Sequence, residues 1–208
     1  MNTHPAYVTV SGTAAAEIAV KKSRFLGHLA SAASEAQARS VLESVRKEHY
    51  NARHTCWAYI LRDGGKRFSD DGEPQGTAGL PILGVLEKNG LQDCVLTVTR
   101  YFGGILLGAP GLVRAYTESA SQTIQAAAVI RMAWCGTYTI PCPYELYGKI
   151  AGVVQNAGAE ILDTLYGAEV TLSVRIPQEN AAQLCAVLTE ATNGKAVAVP
   201  CGEGYCAS

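Results

Sequence analysis

Ser69-Asp70-Asp71-Gly72-Glu73-Pro74-Gln75-Gly76-Thr77-Ala78-Gly79 and Arg100-Tyr101-Phe102-Gly103-Gly104-Ile105-Leu106-Leu107-Gly108-Ala109-Pro110-Gly111-Leu112-Val113-Arg114-Ala115-Tyr116 both sit where a helix should begin. The first crowds carboxylates, glycines and a proline into a span that is costly to order, which marks a shaped turn. The second follows an apolar, β-branched run, residues 94–102, and opens into a long helical pattern. Its glycines therefore lie on a strand-to-helix turn with unpaired N–H groups, a place that attracts anions.

Working outward, residues 55–61 are apolar, aromatic and β-branched, the composition of a strand, and Asp63-Gly64-Gly65-Lys66 follows as a turn. Thr77 or Gly79 starts a short helix that tolerates Pro81 in its first turn and stops at Asn89-Gly90. Upstream, residues 7–10, 17–21 and 24–30 read as strands of an antiparallel start. Ser34 with Gln37 forms a capping box, and Ala38, Val41, Leu42 and Val45 recur at helical spacing in a helix ending near His49. Pro110 suits the first turn of the next helix, whose buried face is Leu112, Tyr116, Ala120, Ile124 and Ala127 and which runs to about Arg131.

After Met132 the rhythm changes to strand 134–140, helix 144–157, strand 160–166, strand 169–176, helix 180–191 and strand 196–200. This βαββαβ order predicts a ferredoxin-like domain over residues 133–208, after an N-terminal domain over residues 1–132, in a chain of the α+β class. The charge divides at the same place, +3 before and −4 after, and a basic N-terminal half favours a polyanion partner. No run of eighteen or more apolar residues and no basic-then-apolar leader occurs, so no membrane is expected and the expected location is cytoplasmic. Seven cysteines are an odd count in a chain of 208 residues, too long to need stapling, so most are expected to be buried reduced thiols. No CxxC pair or neighbouring histidine completes a zinc set, and no metal or cofactor is assigned.

The candidate site residues fall into four groups. Asp70, Asp71 and Glu73 are oxygen ligands suited to a hard cation, or else carboxylates that complement a helix N-terminus, or contacts for a partner. His54 and Cys56 share one face of a strand, where Asp70 could complete a Cys-His-Asp set, but no oxyanion arrangement or nucleophile elbow accompanies them and no catalytic residue is assigned. Lys21, Lys22, Arg24, Arg53, Arg62, Lys66, Arg67, Arg100 and Arg114 are cations that one surface could gather for phosphates, with Tyr59, Tyr101 and Phe102 as stacking positions or else strand core. Gly103 and Gly104 could let backbone approach a phosphate, although neither a Walker loop nor a GxGxxG fingerprint is present.

The two opening runs also resemble the IMPACT/YigZ family of translation-associated proteins, whose SDDGEP, GTAG, PIL, RYFGG and GLVRAY runs are matched here. The resemblance extends in weaker form through Lys21–Phe25 and Ala52–Tyr59 into the C-terminal third. Leu106 and Pro110 depart from it, standing where the family carries lysine and glycine. The resemblance implies an N-terminal α/β domain of ribosomal-protein or elongation-factor type, a mixed sheet with helices packed on it, followed by a ferredoxin-like domain. It further implies a non-catalytic regulator that binds RNA, the ribosome or a translation-control protein through the N-terminal domain. Eukaryotic relatives carry an additional N-terminal domain for which this chain has no room, so their partner is not transferred. The alternatives are a small hydrolase using His54 and Cys56 or a cation at Asp70, Asp71 and Glu73, and a protein-interaction adaptor without RNA.

Overall fold

Alternation of apolar side chains along short β-branched segments builds two sheets, seen in a computed structural model that describes residues 4–207. By contact density the chain divides into residues 7–131 and residues 4–6 with 132–207. The first unit contains β1 (Tyr7–Ser11), β2 (Thr13–Val20), β3 (Ser23–Ser31), α1 (Glu35–Glu48), β4 (His54–Ile60), β5 (Lys66–Ser69), α2 (Gly79–Lys88), β6 (Cys94–Tyr101) and α3 (Ala109–Gln125). Its five-stranded sheet has the order β2-β3-β6-β4-β5, with every ladder antiparallel. An isolated parallel bridge joins Val8 to Leu91. β1 stands outside this sheet, and β7 (Ala128–Cys142) begins in the same unit with residues 128–131.

β6 is buried almost throughout because helices cover both faces of the sheet. On one face Ala38 of α1 packs with Ala30, Tyr59 and Val95. On the other, Ile82 and Leu86 of α2 and Leu112, Tyr116 and Ala120 of α3 pack on Phe25, Cys56, Leu96 and Val98. A Cβ at Gly27 would fall 1.9 Å from Thr123 Oγ1, so glycine lets α3 approach β3 this closely.

α1 starts at the expected Ser34 cap, with Gln37 N donating to Ser34 Oγ at 3.2 Å, while the Gln37 side chain reaches one residue past the cap and accepts from Ala33 N at 2.7 Å. Several elements differ from the sequence expectation, β2 starting four residues early at Thr13 among them. α3 stops at Gln125, six residues before Arg131, because the β-branched Val129 and Ile130 join β7 while Ala126 and Ala127 close the last turn onto Gln122 and Ile124. β5 is an unforeseen four-residue edge strand, kept short and charged as exposed edges tend to be.

The second unit takes most of β7 with α4 (Tyr144–Asn156), β8 (Glu160–Tyr166), β9 (Val170–Pro177), α5 (Gln178–Thr192) and β10 (Val199–Ala207). The antiparallel order β10-β7-β9-β8 is the ferredoxin-like arrangement. Val170, Leu172, Val174 and Ile176 alternate into a core with Ile150, Val154, Leu184 and Leu188 from the two helices. β10 runs seven residues past the expected end at Pro200, because the glycine-rich tail continues pairing with β7 across an irregularity between Pro200 and Gly202. That pairing brings Cys206 to Cys135, and the two form a disulfide, while Cys56, Cys94, Cys142, Cys185 and Cys201 stay free thiols, the first three of them buried.

Candidate functional site

The acidic turn folds against one end of the first sheet, and each of its carboxylates has different partners. Asp70 caps α2 from a distance: Oδ1 accepts from Ala78 N and Gly79 N at 3.0 and 2.8 Å, and Oδ2 from Gly76 N at 2.8 Å. The N-cap position itself is Ala78, which has no side-chain acceptor, so a carboxylate eight residues upstream supplies what a local cap usually does. Asp71, at φ 44°, bonds Thr55 N through Oδ2 at 2.7 Å and Arg46 Nη2 through Oδ1 at 2.6 Å, tying the turn to β4 and α1. Glu73 turns inward, where Oε1 accepts from Arg100 Nη1 at 2.7 Å and from the Tyr116 hydroxyl at 2.9 Å. The three carboxylates do not converge, and among the described residues no group of three His, Cys, Asp or Glu side chains gathers to hold a cation.

Arg100 was expected to face a partner, but it is held inside. Its side chain is 8 % exposed beside that of Glu73 at 4 %, and its guanidinium lies 5.5 Å from the centroids of both Phe25 and Phe102. Nη2 reaches Ser23 Oγ at 3.5 Å, an oxygen that also accepts from Gly103 N at 3.1 Å. The sequence run that carries Arg100 thus serves to lock the acidic turn to β6, β3 and α3. Nε of Arg100 is buried with no hydrogen-bond partner.

The thiol chemistry weighed from sequence finds no geometry. Cys56 Sγ sits 2.9 Å from the Asp70 carbonyl oxygen and 3.4 Å from the Tyr116 hydroxyl, while His54 Nδ1 is bonded to the Asp71 carbonyl oxygen at 2.8 Å. Burial pushes the Cys56 thiol up to about 12, with the nearby Glu73, Asp71 and Asp70 carboxylates adding to the rise. The thiolate that a nucleophile requires is therefore disfavoured. Burial likewise raises Tyr116, which stays a neutral donor to Glu73.

The second run forms an exposed loop between β6 and α3. A Cβ at Gly103 would fall 2.0 Å from the Lys22 carbonyl carbon, so the tip of the β2–β3 hairpin rests on this glycine. The tip residues Lys21 and Lys22 are both exposed and both left-handed, at φ 45° and 68°. α3 begins after Gly108 with no side-chain cap and Pro110 in its first turn. Lys21 and Arg114 line one groove with Leu107 and Val113, and Arg114 Nε is 3.3 Å from the Pro110 carbonyl oxygen. Leu106, where a lysine was expected from the resemblance, is 83 % exposed.

The remaining candidates scatter. Arg24 is paired with Glu17 at 2.6 Å and lies over the Tyr101 ring at 5.7 Å. The Tyr101 hydroxyl bridges His49 Nδ1 and Asn51 Oδ1, each at 3.1 Å. Arg53 is exposed before β4, and Arg67 lies on β5 opposite Tyr59. Lys21, Lys22, Gly103, Gly104 and Arg114 thus gather at the loop, while Asp70, Asp71, Glu73, His54 and Arg100 form the bonded turn beneath the sheet end. Sequence reasoning missed Arg46, Ser23 and Tyr116 as members of that turn. Tyr116 read only as a buried helix residue, and the hydroxyl on an otherwise apolar face was the available signal.

The family model of the Impact N-terminal domain matches residues 21–124, which holds both runs, and a domain of unknown function (DUF1949) matches residues 140–195. The chain is 36% identical over 191 residues to the IMPACT family member YvyE of Bacillus subtilis, covering 91% of this chain and 88% of that protein. The chain belongs to the IMPACT family. Another member, YigZ of Escherichia coli, is 37% identical over 179 residues, 84% of this chain and 88% of that one. A crystal structure of a hypothetical protein with 33% identity and a TM-score of 0.62 covers 95% of this chain and 98% of that chain. Membership accounts for the two runs occurring together, since the turn and the loop are two halves of one interlocked structure.

Proposed function

We propose that this IMPACT family member is a cytosolic, non-catalytic regulator of translation that binds RNA, alone or within the ribosome, through its first unit. The observation that carries this reading is the loop around Gly103. Lys21 and Arg114 line a groove beside the first turns of α3, whose N-terminus has no side-chain cap, and Lys22 lies against Gly103 through its backbone. None of the three has a carboxylate within 4.0 Å among the described residues. Guanidinium, ammonium and unpaired backbone N–H groups are the donors that phosphate oxygens take. Two consecutive lysines in the left-handed region also carry strain, of a kind that persists where a surface needs those side chains. Among the described residues no helix is long and apolar enough to cross a membrane.

Burial of Cys56 and the separate engagement of the three carboxylates weigh against the hydrolase reading. The experiment is ultraviolet crosslinking in cells followed by recovery of the protein with whatever is attached. Ribosomal or other RNA joined to the parent, and strongly reduced in a Lys21→Glu/Lys22→Glu variant that still folds, is the expected result. Recovery of proteins without RNA would replace this reading with that of an adaptor.

A further inference from the structure

The face of the first sheet that packs on α1 carries a second concave surface, formed by residues outside both family runs or at their margins. Trp57 pairs with Ser69 and Tyr59 with Arg67 across β4 and β5, so these four side chains rise from the same face. Opposite them stands one side of α1, with Glu35, Arg39, Leu42 and Arg46 at helical spacing. Between these walls lies a groove of about 380 Å³, within the range of small-ligand sites.

The chemistry of the walls is specific. The Trp57 and Tyr59 rings are stacked, with centroids 5.7 Å apart and planes 6° from parallel. Tyr59 is 4 % exposed and forms the inner layer, whereas Trp57 is half-buried and offers the groove a flat ring. Three guanidiniums border it. Arg39 is held by Glu35 and Arg46 by Asp71, each at 2.6 Å, while exposed Arg67 has no carboxylate within 4.0 Å among the described residues. A planar face beside a forked cation that no carboxylate holds within 4.0 Å, and that lies next to the Tyr59 hydroxyl, matches a ligand with an aromatic base at one end and phosphate at the other. A plain polyanion would use the arginines and leave the ring idle.

We propose that this groove binds a nucleotide, its base stacked on Trp57 and its phosphate held by Arg67 with Arg46 behind it. The nucleotide is either free or carried in a single strand, since both present the same base and phosphate. The site does not depend on the loop around Gly103, because α1 and α3 cover opposite faces of the sheet. Failure of one reading therefore leaves the other standing.

The chain has two tryptophans, so Trp134→Phe makes Trp57 the sole reporter in the full-length protein. Adenosine monophosphate and a twelve-nucleotide oligoadenylate are titrated while Trp57 emission is followed, with inorganic pyrophosphate as the base-free control. Saturable quenching by adenosine monophosphate is expected if a free nucleotide suffices, and by the oligomer only if the strand is the source. In either case Arg67→Ala should weaken binding about tenfold, the usual loss for a charged hydrogen bond. Labelled-ligand binding should be retained in Trp57→Phe and lost in Trp57→Leu, with circular dichroism showing both variants folded. Emission unchanged by either nucleotide ligand, or quenched equally by pyrophosphate, overturns the proposal.

Discussion

Glu73 and Arg100 illustrate how a conspicuously charged sequence can be spent on the fold. Both side chains are more than nine-tenths buried and each is the other's main partner, with Tyr116 adding a hydroxyl to the same carboxylate oxygen. Removing one member leaves the other as an uncompensated buried charge, so Arg100→Ala or Glu73→Ala should destabilise by about 3–5 kcal/mol in denaturant melts. The combined Glu73→Leu/Arg100→Met exchange should cost clearly less than the sum of the single changes, because no orphaned charge remains. Additive losses would show that the two groups are not coupled. Cys56 supplies a pH dependence from the same cluster. An unfolded thiol ionises near 9, whereas burial holds the folded one protonated to about 12, so the unfolded state releases its proton first as pH rises. Stability is then fully present below about pH 9 and is lost progressively toward pH 12, and Cys56→Ala should flatten that alkaline decline in thermal melts. A decline as steep in the variant as in the parent would assign it elsewhere.

At the scale of elements, periodicity made most of the architecture legible. The capping box of α1, the strand pattern of β9 and the βαββαβ order all rest on local spacing, and the structure places them where the spacing does. The failures lie where a long-range partner decides. Residues 126–131 have enough alanine to prolong a helix, and their transfer to β7 depends on a pairing that no local pattern carries. The glycine-rich tail becomes β10 only because β7 is available, and the Cys135–Cys206 disulfide follows from that pairing. The β2–β3 hairpin shows a local rule overridden on the surface. Its two tip residues adopt the left-handed region that Asn-Gly fills without strain, yet they are lysines. Lys21→Asn/Lys22→Gly should raise stability by on the order of 1 kcal/mol in denaturant melts while lowering RNA affinity. A variant that is both more stable and equally competent in binding would remove the hairpin from the interface.

Across the whole molecule, the candidate site was half legible. The two family runs were visible as a unit of sequence, but which side chains turn inward was not, since burial of Arg100 depends on Glu73, Phe25 and Ser23 arriving from separate elements. What remains outside is the loop with Lys21, Lys22, Arg114 and the α3 N-terminus, and the account depends on its attraction for phosphates. The decisive measurement is binding of single-stranded RNA over a range of salt concentrations, for the parent and Arg114→Ala, with thermal melts confirming that both are folded. The parent should lose affinity steeply as salt rises, and the variant should show a logarithmic slope smaller by about one unit. Salt-independent binding, or identical slopes in two folded proteins, would contradict the account.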